Sequence, residues 1–378
     1  MDFSELGDFL VIDGHIHFPH PTLMDDVVAA MERTGATQAN LVAVPDLERI
    51  NQNPALIHFK AHHPHRATIC GALDYTEVFA APDKASETLA AQIARLQTIG
   101  FDGLKLIEGK PMVRQMLPLR LDSATYAGMW ADLEQSGMPV VSHIADPEEF
   151  WDPERCPGWA RDQGWFYGEG DYPPKEALYE EVDLVLERYP RLRIVFAHFY
   201  FLSDDLARAG EFLDAHPRVC FDLTPGVEMY LNFARDPDAT RDFFIRYQDR
   251  LIYGTDIGAA AIGDIVPSGG LDMTDSAGRA WVVRTFLEGD AAFSAPEGMG
   301  HWLGMDAEGF HGIGLPSEAL EKIYRTNFQR LFGMEPAPLD HQAALAELRR
   351  MAAAIDAQAG GRVESEARRV AEVLEASL

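Results

Sequence analysis

This sequence predicts an α/β fold, a closed (β/α)8 barrel of the TIM type, on three observations. Short β-branched apolar runs alternate with longer helical patterns along most of the chain. Most of the runs are apolar on both faces, as strands of a parallel sheet covered by helices must be. Eight such runs occur, the number that closes a barrel. A doubly wound open sheet is the alternative reading of the same alternation.

The elements follow in order. Strands are expected at residues 11–17, 40–45, 67–74, 103–107, 139–144, 193–198, 219–224 and 251–256. Between the first two, Leu23, Val27 and Met31 recur at helical spacing and stop at Gly35. Leu89, Ile93 and Leu96 do the same before Gly100. Ser123 caps a pattern of Tyr126, Met129, Trp130 and Leu133 that ends at Gly137. Val182, Leu186 and Tyr189 precede Pro190. Two segments exceed the minimal alternation. Residues 145–173 carry Trp151, Trp159, Trp165, Phe166 and Tyr167, and residues 257–316 are rich in glycine. These long loops follow strands five and eight, so both emerge at the C-terminal face of the barrel and read as walls or lids of a pocket. From Pro336 onward the chain is rich in Ala, Glu and Arg, and reads as two helices split at Gly360-Gly361 that pack on the barrel or on a partner subunit. The expected organisation is a barrel domain at 1–333 and a C-terminal helical extension at 334–378.

Composition narrows the function classes. The 378 residues are 47% hydrophobic and 24% charged, an ordinary globular balance with enough chain for a large core. A net charge of −28 repels phosphate backbones and anionic lipid, which argues against nucleic-acid and membrane-surface partners. Cys70, Cys156 and Cys220 form no metal spacing, and Cys70 and Cys220 lie in strand-like runs as inert core thiols. The first residues show neither a basic n-region nor an apolar h-region, so a cytoplasmic protein is expected. No uninterrupted apolar stretch reaches membrane-spanning length. There is no G-x-G-x-x-G after a strand, no P-loop and no G-x-S-x-G elbow.

The chemistry gathers at the strand ends. The segment VIDGHIHF places His15 and His17 two residues apart, on one side of a strand. Thirteen histidines in 378 residues give about 0.4 such pairs by chance, so the pair gains weight only from further ligands. Those follow: Lys105 in DGLKLIE, His143 in MPVVSHIAD, His198 in RIVFAHFY and Asp256 in LIYGTDIG each sit where an apolar run ends. In a closed barrel these ends converge. Imidazoles and carboxylates suit a divalent metal ion, and their burial would be costly unless something united them. Asp13 shares a face with the histidine pair, placed to orient a ligand or to pair with Lys105; Glu108 is another partner for Lys105. His58, His62, His63 and His65 also look metal-like but fall in the helix and turn entering strand three, where a solvated helix end is the reading. His301 and His311 lie in the loop after strand eight.

The sequence resembles the amidohydrolase superfamily, in the branch of TIM-barrel metal-dependent hydrolases that also contains non-oxidative decarboxylases. The resemblance is carried by DGHIH (13–17), GLKL (103–106), SH (142–143), AH (197–198), GTD (254–256) and the closing IYRTNFQRLFG (323–333), and spans roughly residues 10–333. It implies that His15, His17, His143 and Asp256 bind one divalent ion, Zn²⁺ first and Mn²⁺ second. Asp256 and His198 would be the catalytic groups, and Lys105 would contact the substrate. A binuclear site would instead use carboxylated Lys105 as a bridge, with Lys105 and His198 as ligands of the second metal. Phe199 and Tyr200 depart from the glycine-bearing pattern expected after His198.

Hydrolysis of an amide, lactone or ester of a small carboxylate-bearing molecule is the expected reaction. Non-oxidative decarboxylation of an aromatic or unsaturated carboxylic acid on the same residues is the alternative. A catalytically inactive metal-binding barrel is the alternative of another class. The long tail offers a surface, so a homo-oligomer is expected.

Overall fold

A computed structural model describes residues 1–46, 50–226, 228–259, 270–297 and 309–377. Eight parallel strands form one sheet in chain order among these residues: β1 (Val11–His17), β2 (Ala36–Val42), β3 (Ala67–Gly71), β4 (Gly103–Gly109), β5 (Val140–Ile144), β6 (Ile194–Phe196), β7 (Val219–Asp222) and β8 (Leu251–Ile252). Each is followed by a helix: α1 (Met24–Thr34), α2 (Asn53–His62), α3 (Ala85–Ile99), α4 (Ala124–Ser136), α5 (Lys175–Arg188), α6 (Leu206–Ala215), α7 (Pro237–Arg246) and α8 (Met273–Glu288). The expected barrel is therefore present, and the open-sheet alternative is not.

The closing seam lies between β1 and the chain beyond β8. Gly14 N donates to Tyr253 O at 2.9 Å, Asp256 N to His15 O at 2.9 Å and His17 N to Ile257 O at 2.8 Å. Ile16 and Ile257 pair in parallel. Gly14 is required here. A Cβ at that position would lie 2.7 Å from the Tyr253 carbonyl oxygen and 2.8 Å from Ile252 Cγ2.

The expected strands differ from the observed ones in length. β2 begins at Ala36, earlier than expected, because Ala36–Ala39 pair with Val11–Asp13. β6 stops at Phe196, since His198, Phe199, Tyr200 and Phe201 all have φ between 50° and 58°. A left-handed backbone cannot continue a strand. The segment 257–316, expected as a loop, carries α8. Helix α8 is buried on most sides, from Ser276 to Ala280 and again at Val282–Arg284, Phe286 and Leu287. It therefore shows no amphipathic stripe from which a helix could be read.

Below the strand ends, the barrel interior is filled by Ile12, Val42, Cys70, Val141, Val195, Cys220 and Ile252, capped by Phe328 and Phe332. These last two belong to the helix Asn327–Phe332, within the motif expected to close the barrel. Cys70 and Cys220 are interior thiols, and burial pushes Cys70 up to about 12. Val141 and His143 are two residues apart on β5, as are Cys220 and Asp222 on β7. The register that buries the thiol and the valine thus aims His143 and Asp222 at the same axis one layer higher.

Two further helices follow: α9 (His341–Ala359) and α10 (Glu366–Ala376), separated by Gly360 at φ 70°. Helix α9 packs on α3, and α10 packs on both α9 and α2. No described helix is long and apolar enough to cross a membrane.

Candidate metal centre

His15 leaves β1 with its ring buried and held at both nitrogens. Its Nδ1 lies 2.8 Å from Asp222 Oδ2, and its Nε2 lies 3.0 Å from Lys105 Nζ. The carboxylate accepts, so Nδ1 carries the proton and Nε2 offers a lone pair toward the barrel axis. Asp222 also accepts from the His198 backbone N at 2.9 Å and from Thr224 Oγ1 at 2.5 Å. Burial alone would raise its carboxyl, but the bond from His15 and the other donors hold it below the ordinary value.

His17 Nε2 lies 3.3 Å from Asp256 Oδ1, and His15 Nε2 lies 3.7 Å from the same oxygen. Among the described residues, His15, His17 and Asp256 form the one group of three whose ligand atoms all lie within 4.8 Å of one another. Burial drives the His17 imidazole down to about 4, so it is neutral near pH 7. Burial works against the Asp256 carboxylate, but interactions with His17, His198 and His15 hold it well below the usual range. Two imidazoles and one ionised carboxylate are the donor set a divalent ion of the zinc type takes. The carboxylate behind His15 is the outer partner that orients such ligands. The residues fit the ion.

The other expected residues take distinct places. Lys105 is buried and bonded to His15; it pairs with neither Asp13 nor Glu108. Burial lowers its ammonium to about 8. Asp13 accepts from Thr255 N and Thr255 Oγ1, at 3.1 and 2.6 Å, and from His15 N at 3.2 Å, so it braces the β1–β8 seam. Glu108 accepts from Tyr75 Oη at 2.7 Å. His143 stands outside the three-residue group, with its Nε2 at 3.1 Å from Asp146 Oδ1. Its ring lies edge-on to His198, centroids 4.9 Å apart, and the His15 and His198 rings are 6.2 Å apart. His198 Nδ1 faces the Thr224 carbonyl at 3.3 Å, which leaves Nε2 as the nitrogen with no partner of that kind. His58 and His62 lie together on α2, away from this cluster, and His311 sits in a two-residue strand paired antiparallel with Ala292–Phe293, with its Nδ1 on the Gly312 carbonyl. His301 lies outside the described residues.

Asp222, Asp146 and Arg279 were not singled out from the sequence. Asp222 ends the apolar run Val219–Phe221 much as Asp256 ends its own, which is a signal of the same kind. Arg279 is buried on α8 with Nη1 3.8 Å from Asp256 Oδ2, and no motif marks it.

Comparisons with known proteins agree with this architecture. A family model described as Amidohydrolase matches residues 12–334. No curated protein matches the sequence. Among solved structures, a putative amidohydrolase from Staphylococcus aureus superposes with a TM-score of 0.51 at 15% identity, covering 86% of this chain and 100% of that one. A 2,6-dihydroxybenzoate decarboxylase complexed with 2,6-dihydroxybenzoate gives 0.50 at 16% identity, covering 86% and 100%. The apo form of IDCase from Metarhizium anisopliae gives 0.52 at 14% identity, covering 88% and 98%. At these identities the likenesses speak for the fold.

Proposed function

We propose, from the premise that this chain belongs to the amidohydrolase family, that it is an enzyme using one divalent metal ion to hydrolyse an amide, lactone or ester of a small carboxylate-bearing molecule. The observation that carries the reading is the convergence of His15, His17 and Asp256 at the C-terminal ends of β1 and β8. The ion, when bound, would supply Lewis acidity that activates water and polarises a carbonyl.

The chain's own groups do the rest. Asp256 stays ionised in a buried site and accepts the proton of the attacking water, then returns it to the leaving group. Arg279 stands behind its second oxygen and limits its rotation. His15 Nε2 cannot accept from Lys105 and donate its lone pair to an ion at once. An ion held by His15 would leave the Lys105 ammonium free to contact a substrate carboxylate. His198, with Nδ1 committed to Thr224, offers Nε2 to the substrate.

Decarboxylation is the second reading. The name of one fold neighbour, a 2,6-dihydroxybenzoate decarboxylase, favours it, together with His198, whose Nε2 lone pair would first take a proton from solvent and then pass it to the ring carbon as CO₂ leaves. Here the freed lysine would hold the departing carboxylate.

Elemental mass spectrometry of the purified protein tests the shared core. About one equivalent of Zn²⁺ or Mn²⁺ in the parent, lost in His15→Ala, is the expected result. No metal, even after reconstitution, would sink both readings. A panel of lactones, amides and dihydroxybenzoates, read for acid release and for CO₂, then separates hydrolysis from decarboxylation.

A further inference from the structure

We propose that Asp146 is a positioning residue that fixes the His143 imidazole as its Nε2–H form and fastens it to the aromatic segment 147–173, leaving Nδ1 as the nitrogen His143 offers to the metal centre. Its role in catalysis rests on the metal-dependent reading above. Its geometry does not.

The argument starts at the end of β5. After Ile144 the chain turns through Ala145 at φ 64°, a left-handed residue with a side chain, and this turn brings Asp146 back beside His143. Asp146 is buried and is met by donors from three directions. Its Oδ1 accepts from Lys110 Nζ at 2.7 Å and faces His143 Nε2 at 3.1 Å. Its Oδ2 accepts from Tyr167 Oη at 2.7 Å. A carboxylate so surrounded has no proton to give. The proton between Oδ1 and Nε2 therefore belongs to the imidazole, whether the ring is neutral or charged. The lone pair of the neutral ring is then on Nδ1.

His15 is held the opposite way, through Nδ1 by Asp222, with Nε2 left to the site. The two rings are thus oriented by different carboxylates at different nitrogens.

The segment beyond Asp146 explains why so many groups meet there. Phe150, Cys156, Ala160, Trp165 and Tyr167 form a small apolar cluster of their own, distinct from the barrel's. Tyr167 N donates to Phe150 O at 2.7 Å, and the Tyr167 ring packs against Trp151 and Tyr172 at 5.0 and 4.9 Å. This cluster meets Asp146 at two points: the Tyr167 hydroxyl bonds its carboxylate, and the Trp165 ring lies 4.8 Å from Lys110 Nζ, which bonds the same carboxylate. A plain Lys–Asp ion pair would need neither the tyrosine nor the histidine. Three groups on one buried carboxylate, with the imidazole set edge-on to His198, form a joint between loop and site.

The test uses the full chain labelled with ¹⁵N-histidine, metal-free and Zn²⁺-loaded, with His143→Gln to assign the signal. Long-range ¹H–¹⁵N spectra should show His143 protonated at Nε2 in the parent protein. Asp146→Ala should give mixed tautomers and weaken Zn²⁺ binding by about 10–100-fold in a competition titration. Tyr167→Phe should shift the same signal less. Asp146→Asn, which keeps shape and an acceptor oxygen, should restore the tautomer; it serves alone if the alanine variant does not fold. A parent His143 protonated at Nδ1, or a tautomer and Zn²⁺ affinity unmoved in Asp146→Ala or, if that variant does not fold, a tautomer lost in Asp146→Asn, overturns the proposal. A parent protein that binds no Zn²⁺ but shows the Nε2–H form defeats the metal reading and leaves the joint standing.

Discussion

Asp256, at φ 59°, and His198, at φ 55°, are both left-handed, as is Ala145, one residue ahead of Asp146. Residues with side chains hold this conformation only where their surroundings insist on it. Here the insistence comes from hydrogen bonds: Asp256 N to the β1 backbone, and His198 N to Asp222. Asp222 therefore holds two parts of the site at once. Replacing it as Asp222→Asn keeps the shape but weakens the hold on His15, so Zn²⁺ affinity should fall by about 10–100-fold, read by competition with a chromophoric chelator. An unchanged affinity would mean that His15 needs no orienting partner. Glu228, half-buried after β7, has an Oε2 with no hydrogen-bond partner, and burial raises its carboxyl from 4.5 to about 7. Between those pH values the folded chain keeps a proton that the unfolded chain has released. The associated stability is full below pH 4.5 and is lost as pH rises through about 7. Glu228→Gln should thus exceed the parent at pH 8, by on the order of 2 kcal/mol, and match it near pH 4, in urea melts at both pH values. Equal stability at pH 8 would show the carboxylate to be solvated. The candidate ligand residues were legible because each ends an apolar run. Asp222 ends one too, but its task appears only when β7 is set beside β1.

At the scale of elements, the strands were legible in place and less so in length. Their apolar runs continue past the last ladder bond, as at 193–198, where the sequence reads as strand and the backbone has already turned left-handed at His198. Phe199, Tyr200 and Phe201 are held there by ring packing. Phe199 meets Phe221, Phe233, Phe243 and Phe244, and Tyr200 stacks on Phe196. This is how the turn does without the glycines its φ values favour. Phe199→Gly should relieve about 1–2 kcal/mol of backbone cost and forfeit about 3–5 kcal/mol of ring burial. The net loss, on the order of 2 kcal/mol, should appear as a lower Tm; a variant as stable as the parent would mean the rings are not what holds the turn. Gly14→Ala tests the seam. Its methyl would press on the Tyr253 carbonyl, and we expect about 1–3 kcal/mol of destabilisation in denaturant melts.

For the molecule as a whole, the two tail helices were legible from the Gly360-Gly361 break, but their berth was not, because its tethers look like any surface charges. Asp102 accepts from Ala337 N at 2.6 Å and from buried Lys60 at 2.5 Å; Arg350 reaches Asp74 and Glu77, each at 3.0 Å; Glu366 Oε2 lies 3.3 Å from His20 Nε2. Ending the chain after Gly333 should therefore lower Tm markedly, and an unchanged melt would make the extension an accessory. The stacked rings of Phe328 and Phe332, 4.4 Å apart, have a different consequence. They stopper the barrel opposite the candidate metal centre, so what enters must depart by the same doorway. Traffic through one doorway makes a departing product and an arriving substrate rivals: end products should inhibit turnover competitively, in a pattern visible in initial-rate plots.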